Sequence, residues 1–264
     1  LRLTAEGAEA EALAHLLTGL GLAPVGPLWL APGGPVGAVQ MTPNTLAVLV
    51  ALAQDLLSLQ GSVAPQALAR RLGPMLVRAA SRLRAEAAPG PTHLRRATGA
   101  GDVTQAALRL PYAHFFAMEE RDLSWRRFDG TMSATATRAA FLSGDAVTVL
   151  PYDPLRDRVL VIEQFRAGPL ARGDRQLWQI EAIAGRVDPF ETPEEAARRE
   201  AVEEAGLSLT DLRFVSRYYP SPGAVSEYIY SYVAVTDLPD GAAGVFGLDE
   251  EAEDIRGHLL SFDA

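Results

Sequence analysis

A layered α/β or α+β domain behind a mostly helical N-terminal region is the fold class this 264-residue sequence predicts. Three observations predict it. Apolar residues recur with helical spacing through residue 88, then give way to strand-like runs beyond a Gly- and Pro-rich stretch from Ala87 to Gly101. Short apolar runs, Ala146 to Leu150 and Val159 to Phe165 among them, fall on both sides of one well-signalled helix. That helix opens with Thr192 as N-cap, Pro193 in the first turn and Glu195 completing a capping box, and stops at Gly206.

In order, Leu13, Leu16, Leu17 and Leu20 have helix spacing. Gly21 to Gly37 reads as loop around a short apolar piece, Leu28-Trp29-Leu30. Asn44 to Leu59 is apolar nearly all round, as in a buried helix. Pro65 opens another helix, which Gly73-Pro74 interrupts; beyond it Met75, Leu76, Ala79 and Leu83 form an apolar stripe flanked by Arg78 and Arg82. The two arginines read as a solvated flank, and His15 and His93, with no partner at ligand spacing, read as structural. No chemistry is legible in residues 1–88. The expected organisation is a helical region over 1–88, a linker over 89–109 and one further domain over 110–264.

In that domain Tyr112 to Phe116 is aromatic, and Leu123 to Phe128 precedes a turn at Asp129-Gly130. Asp153-Pro154 turns between the two apolar strands, and Leu177 to Ile183 is the strand that enters a glycine loop. Arg213 to Tyr219 and Glu227 to Val235 follow the capped helix; in the second, Tyr228, Tyr230 and Tyr232 share one face, and Ile229, Val233 and Val235 the other.

Composition narrows the function. Apolar residues make up 48 %, enough for a core, and without cysteine neither disulfides nor thiolate metal sites can form. All 24 basic residues are arginine, for which we have no physical account. Residues 1–130 hold 12 arginines against 10 acids, net +2, and residues 131–264 hold 12 against 23, net −11. So acidic a half repels a polyanion, which argues against nucleic acid as partner, but suits a small phosphorylated substrate carried with a cation. No stretch approaches a membrane span of roughly 18–20 apolar residues; the longest, Leu46 to Leu59, is broken by Gln54 and Asp55. No leader segment is visible, although the sequence opens on Leu1, and the cytoplasm is the expected location.

The chemistry concentrates between Gly185 and Leu207. Gly185, five residues, Glu191, seven residues, then Arg199-Glu200-Ala201-Val202-Glu203-Glu204-Ala205-Gly206-Leu207 form a glycine loop running into the capped helix. At about 100° per residue, Glu200, Glu203 and Glu204 share one helix face. Three like charges there destabilise an isolated helix, and a divalent cation would turn the repulsion into a ligand set. Oxygen-only ligands select a hard ion, magnesium or manganese. A merely solvated acidic face is the alternative. Against it stand the glycine loop, which brings backbone carbonyls near Ala184 close, and Arg199, placed to orient a carboxylate.

This segment resembles the Nudix box, with every fixed position present and Ala201 smaller than the usual aliphatic. A second acidic run, Gly247 to Arg256, also suits the chemistry, because hydrolysis of a phosphoanhydride needs a group to take a water's proton. Val161-Ile162-Glu163-Gln164 with Arg166, Tyr219 to Gly223 leading to Ser226-Glu227, Phe128 to Ser133, and Glu251 to Arg256 are together similar to the ADP-ribose pyrophosphatases, over about residues 110 to 264.

The resemblance implies a Nudix α/β/α sandwich with a mixed sheet, acting as a homodimer that cleaves ADP-ribose to AMP and ribose 5-phosphate with Mg2+ or Mn2+. It implies that the Ala184 carbonyl, Glu200, Glu204 and Glu253 ligate metal, that Glu203 and Arg199 assist, and that Glu251 is the proton acceptor. Arg166 would hold the diphosphate as a bidentate fork. Ser221, Pro222, Gly223 and Glu227 would line the ribose side, Phe115 and Phe116 would stack on adenine across the dimer, and Arg138 and Arg186 would touch substrate. Two departures stand out. Ser143 replaces an arginine of the family, and family members continue past Ala264 into a C-terminal helix, so the domain is expected to be cut short. Two rival readings are a hydrolase of another sugar nucleotide, such as a GDP-hexose, and a non-catalytic ADP-ribose-binding module. The complete box disfavours the latter.

Overall fold

A computed structural model describes residues 8–25, 28–30, 42–61, 63–88, 93–248 and 252–263. The chain divides into two compact units: residues 1–144 with 221–226, and residues 145–220 with 227–264.

The first unit opens with α1 (Ala8–Gly19), the short antiparallel strands β1 (Ala23–Val25) and β2 (Leu28–Leu30), and helices α2 (Pro43–Ser58), α3 (Pro65–Ala69) and α4 (Leu72–Ala87). Thr42 caps α2 through its side chain, with Pro43 in the first turn. Val48, Leu52, Leu56, Leu68, Met75 and Ala79 form the helical core. Contrary to the all-round apolar reading, α2 buries only one side: Leu46 and Val50 are about half exposed. Gly73-Pro74 does not interrupt a helix either. The break lies at Arg70 and Arg71, and Pro74 sits in the first turn of α4, where a missing N–H costs no intrahelical bond.

Arg78 and Arg82 are not a solvated flank but ion-pair partners, Arg78 to the buried Glu119 and Arg82 to Asp55 at 2.6 Å. His15 is buried and hydrogen-bonded to the Leu56 carbonyl at 2.9 Å, as a structural histidine should be. Strands β3 (Val103–Ala113), β4 (Ala117–Trp125) and β5 (Ala136–Leu142) form an antiparallel meander. Strand structure therefore begins inside the stretch expected as linker over 89–109, since β3 pairs with β4 from Val103 onward.

The second unit holds β6 (Asp145–Asp153), β7 (Arg158–Phe165), α5 (Ala167–Arg172), β8 (Trp178–Glu181), β9 (Ile183–Arg186), α6 (Pro193–Ala205), β10 (Asp211–Tyr218), β11 (Tyr228–Val235), β12 (Val245–Phe246) and β13 (Ile255–Ser261). The sheet order is β10-β11-β6-β7-β13-β12, with β8 on β7 and β9 on β6. The β11–β6 pair is parallel and the others antiparallel, so the sheet is mixed, as expected.

The single strand expected over 177–183 is two, because the chain changes partner from β7 to β6 at Ala182. Strands β6 and β7 pair only next to their turn, at Tyr152↔Val159 and Asp153↔Arg158. Burial pushes the Asp153 carboxyl up, but N–H groups of Leu238, Leu155 and Arg156 and the Arg156 guanidinium hold it well below the usual range. This pins the turn. Further along, β6 and β7 part to take β9 and β8, and α6 packs over β6 and β9. The α6 face on the sheet is Ala196, Ala197, Ala201 and Ala205, all buried. Small side chains let the helix axis approach closely, which is the packing role of the small Ala201.

Candidate active site

The fixed positions of the Gly185–Leu207 segment hold the loop and helix together. Thr192 accepts the Glu195 N–H at 3.2 Å and the Glu195 carboxylate accepts the Thr192 N–H at 2.7 Å, closing the capping box. Gly206 ends α6 at φ 63°, and a Cβ there would lie 2.9 Å from the Phe246 ring. Gly185 is needed for space. A Cβ on it would run into the Glu200 carboxyl, 2.6 Å from Oε2 and nearer still to Oε1.

Arg199 organises the carboxylates. Its Nη1 donates to Glu200 Oε1 at 2.7 Å and Glu203 Oε2 at 2.8 Å, while Nη2 donates to Glu191 Oε1 at 2.7 Å and to the Arg186 carbonyl at 2.9 Å. Glu191 also accepts the Asp188 N–H at 2.7 Å, so the glycine loop is tied to the helix through one guanidinium. Burial works against the Arg199 charge, but the three glutamates overcome it and keep the group protonated. Sequence reasoning gave Glu191 no part; its spacing of eight residues from Arg199 on a capped helix was the available signal.

Glu204 is 2 % exposed. Its Oε2 accepts the Ala184 N–H at 2.9 Å, and Gln164 Nε2 lies 3.5 Å from Oε1, so it bridges β9 and β7 where β6 and β7 have parted. Gln164 stands out in the sequence only within the Val161–Gln164 run; its contact with Glu204 depends on strand pairing that a sequence does not print. Burial, with Glu200 and Glu253 nearby, pushes Glu204 up to about 8, against the Ala184 N–H and Arg166. Burial likewise pushes Glu200 up to about 7 despite Arg199, with Glu203 and Glu253 adding to the rise.

Among the described residues no three carboxylate or imidazole groups converge as a ready metal cage. Glu200 and Glu203 are turned onto Arg199, and Glu204 onto Ala184. The donor set nonetheless fits a hard cation: oxygen atoms only, largely buried, and destabilised by their own mutual charge. Glu253 belongs to this charge cluster. Its carboxylate accepts the Leu248 N–H at 3.2 Å, and its charge acts on both Glu200 and Glu204.

Arg166 is gripped by Glu181 through Nε at 2.9 Å and Nη2 at 2.8 Å. Glu181 thus takes one fork of the guanidinium, Nε with Nη2, and leaves the end formed by Nη1 and the second N–H of Nη2. Arg186 lies on β9, opposite Ala146. Glu251, the expected proton acceptor, lies outside the described residues together with Asp249 and Glu250. Glu227 is in the second unit, half-buried.

The other substrate candidates are in the first unit. Phe115 and Phe116 meet edge to face at 4.8 Å, and Phe116 contacts Phe141 at 4.8 Å. Arg138 stacks over Trp125 at 5.1 Å. Ser221, Pro222 and Gly223 are exposed in a turn closed by N–H groups of Ala224 and Val225 on the Ser221 carbonyl. Ser143 and Ser226 exchange hydrogen bonds at 2.9 Å.

Residues 142–264 match the NUDIX domain family. The ADP-ribose pyrophosphatase of Escherichia coli (strain K12) is 37 % identical over 171 residues, 65 % of this chain and 81 % of that protein. The chain belongs to the NUDIX family. The NUDIX chain is also 36 % identical to the ADP-ribose pyrophosphatase of Haemophilus influenzae over 151 residues, 56 % of this chain and 69 % of that one. It is 33 % identical over 125 residues to the GDP-mannose pyrophosphatase of Salmonella choleraesuis, 47 % of this chain and 64 % of the relative. A solved ADP compounds hydrolase overlays with TM-score 0.48 at 21 % identity, covering 63 % of this chain and 82 % of the other.

Proposed function

We propose that this NUDIX chain hydrolyses the diphosphate of ADP-ribose, giving AMP and ribose 5-phosphate, with a divalent cation held by Glu200, Glu204, Glu253 and the Ala184 carbonyl. The observation that carries it is the pair Glu200 and Glu204, one helical turn apart, Glu204 buried and Glu200 mostly so, both pushed above the ordinary carboxylate range by burial and by neighbouring carboxylates. The relatives named ADP-ribose pyrophosphatase support the substrate.

Magnesium or manganese, when bound, would supply charge neutralisation on the diphosphate and acidify a water. The chain's residues do the rest. Arg199 fixes the Glu200 and Glu203 carboxylates and, through the Arg186 carbonyl, the end of strand β9 that carries Ala184 and Gly185. Arg166 offers Nη1 to a phosphate oxygen, Arg186 and Glu227 contact substrate, and Glu251 takes the proton of the attacking water. Adenine stacking by Phe115 and Phe116, and substrate contacts by Arg138, Ser221, Pro222 and Gly223, belong to the same proposal. So do a homodimer, a domain beginning near residue 110 and a cytoplasmic location, with which the absence of cysteine agrees. Among the described residues no helix is long and apolar enough to cross a membrane.

The test is product analysis with ADP-ribose, ADP-glucose and GDP-mannose, each with and without Mg2+. AMP plus ribose 5-phosphate, formed from ADP-ribose only when metal is present, is the expected result. Faster turnover of GDP-mannose would favour the second reading, which the Salmonella relative motivates. Tight ADP-ribose binding with no turnover in any metal would refute hydrolysis.

A further inference from the structure

The pairing of β7 with β8 sets Ile162 opposite Glu181 and Gln164 opposite Gln179. Ile162, Gln164 and Glu181 therefore point to one face of the sheet, the face on which Gln164 meets Glu204. Arg166 follows Gln164 by two residues. Its backbone stays extended, at φ −129° and ψ 130°, and its N–H continues the ladder to the Leu177 carbonyl at 2.9 Å. The guanidinium thus emerges beside the α6 carboxylates and has several anions to choose from. It is Glu181 that takes it, with both fork bonds in place and its side chain 26 % exposed. The charges of Glu204 and Glu253 reach Arg166 as well, without a direct bond.

A guanidinium in such a place is hazardous for a metal site. If it swung onto Glu204 or Glu253, it would neutralise a carboxylate that a cation needs and occupy its lone pairs. We propose that Glu181 is a positioning residue that holds Arg166 off the metal-binding carboxylates while leaving Nη1 for the diphosphate. The metal half of this inference rests on the cation reading given under Proposed function; the Nη1 half rests on Arg166 contacting the diphosphate. Two bonds at 2.8 and 2.9 Å outcompete bare charge attraction because a planar fork matches a carboxylate in geometry as well as sign. Without that carboxylate, the nearest compensation for Arg166 is the metal site.

The test uses the full chain with Mn2+ as probe, following free Mn2+ by electron paramagnetic resonance without substrate, and then steady-state KM and kcat for ADP-ribose. Glu181→Gln is expected to weaken Mn2+ binding about tenfold, and the double variant Glu181→Gln/Arg166→Ala to restore it to within about twofold of wild type. That reversal separates the role from plain structural damage, which a second truncation would worsen. Glu181→Ala, tested beside Glu181→Gln with circular dichroism as a fold check, also removes the carboxylate and gives the same comparison should the amide variant unfold. Unchanged Mn2+ affinity in the single variant, or equal loss in single and double, overturns the proposal. Arg166→Ala alone should leave Mn2+ affinity intact and raise KM about tenfold. An unmoved KM there discards the diphosphate contact while the Mn2+ result still decides the role of Glu181, and absence of Mn2+ binding by the wild-type chain sinks the cation reading itself.

Discussion

Replacing Gly185 by alanine perturbs the site with one methyl group. Gly185 lies on β9 opposite Val147, and its φ is not in the left-handed region, so the backbone accepts alanine. The obstacle is the Glu200 carboxyl. The new Cβ would sit 2.6 Å from Oε2, and nearer still to Cδ and Oε1, where ordinary contact needs about 3.5 Å. The carboxyl must retreat by about 1 Å or more. Because it ends a side chain with three rotatable bonds, retreat is cheap for the fold, on the order of 1 kcal/mol or less than the 1–3 kcal/mol of a rigid overpacked core. It is expensive for catalysis, where a misplacement of about 1 Å costs on the order of 100-fold. The assay pairs a thermal melt with kcat/KM for ADP-ribose in Mg2+. Expected are a melting temperature within a few degrees of wild type and kcat/KM down about 100-fold. Activity within threefold of wild type would refute the claim that Gly185 makes room for a working Glu200.

Three further expectations follow from the same geometry. Glu200 and Glu204 titrate near 7 and 8 when folded, above the ordinary carboxylate value of 4.5, so without metal the folded chain holds protons that the unfolded chain has released. Stability in EDTA should therefore fall as pH rises from about 4.5 through 8, and Mg2+ should raise the melting temperature more at pH 8.5 than at pH 5.5; Glu204→Gln should flatten both trends, and melts that match wild type at every pH would contradict this. Gly206→Ala forces φ 63° on a side chain and pushes a Cβ to 2.9 Å from Phe246, so chemical denaturation should show a loss of about 1–3 kcal/mol. Glu191→Gln removes the carboxylate that takes both Nε and Nη2 of Arg199, and kcat should drop at least tenfold with KM less affected.

What was legible in the sequence was local. The capping box, Pro193 and Gly206 interact within a few residues, and the shared face of Glu200, Glu203 and Glu204 follows from helix pitch alone. Family resemblance added Arg166, Glu253 and the substrate candidates. Pairings across strands stayed hidden: Glu181 with Arg166 and Gln164 with Glu204 depend on register, which a single sequence does not print. The same limit explains the partner change at Ala182 that splits one expected strand into two. In the first unit, composition overstated the burial of α2, since Leu46 and Val50 are as apolar as Val48 and Leu52 but face outward. Arg78 and Arg82 looked solvated because their acids, Glu119 and Asp55, are 41 and 27 residues away.

The most direct measurement is anomalous scattering from Mn2+ in crystals grown with ADP-ribose and a slowed variant, Glu251→Gln. A peak about 2.1–2.2 Å from carboxylate oxygens of both Glu200 and Glu204, with a diphosphate oxygen completing the shell, is the predicted result. Substrate density without such a peak, or manganese bound away from α6, would contradict the account.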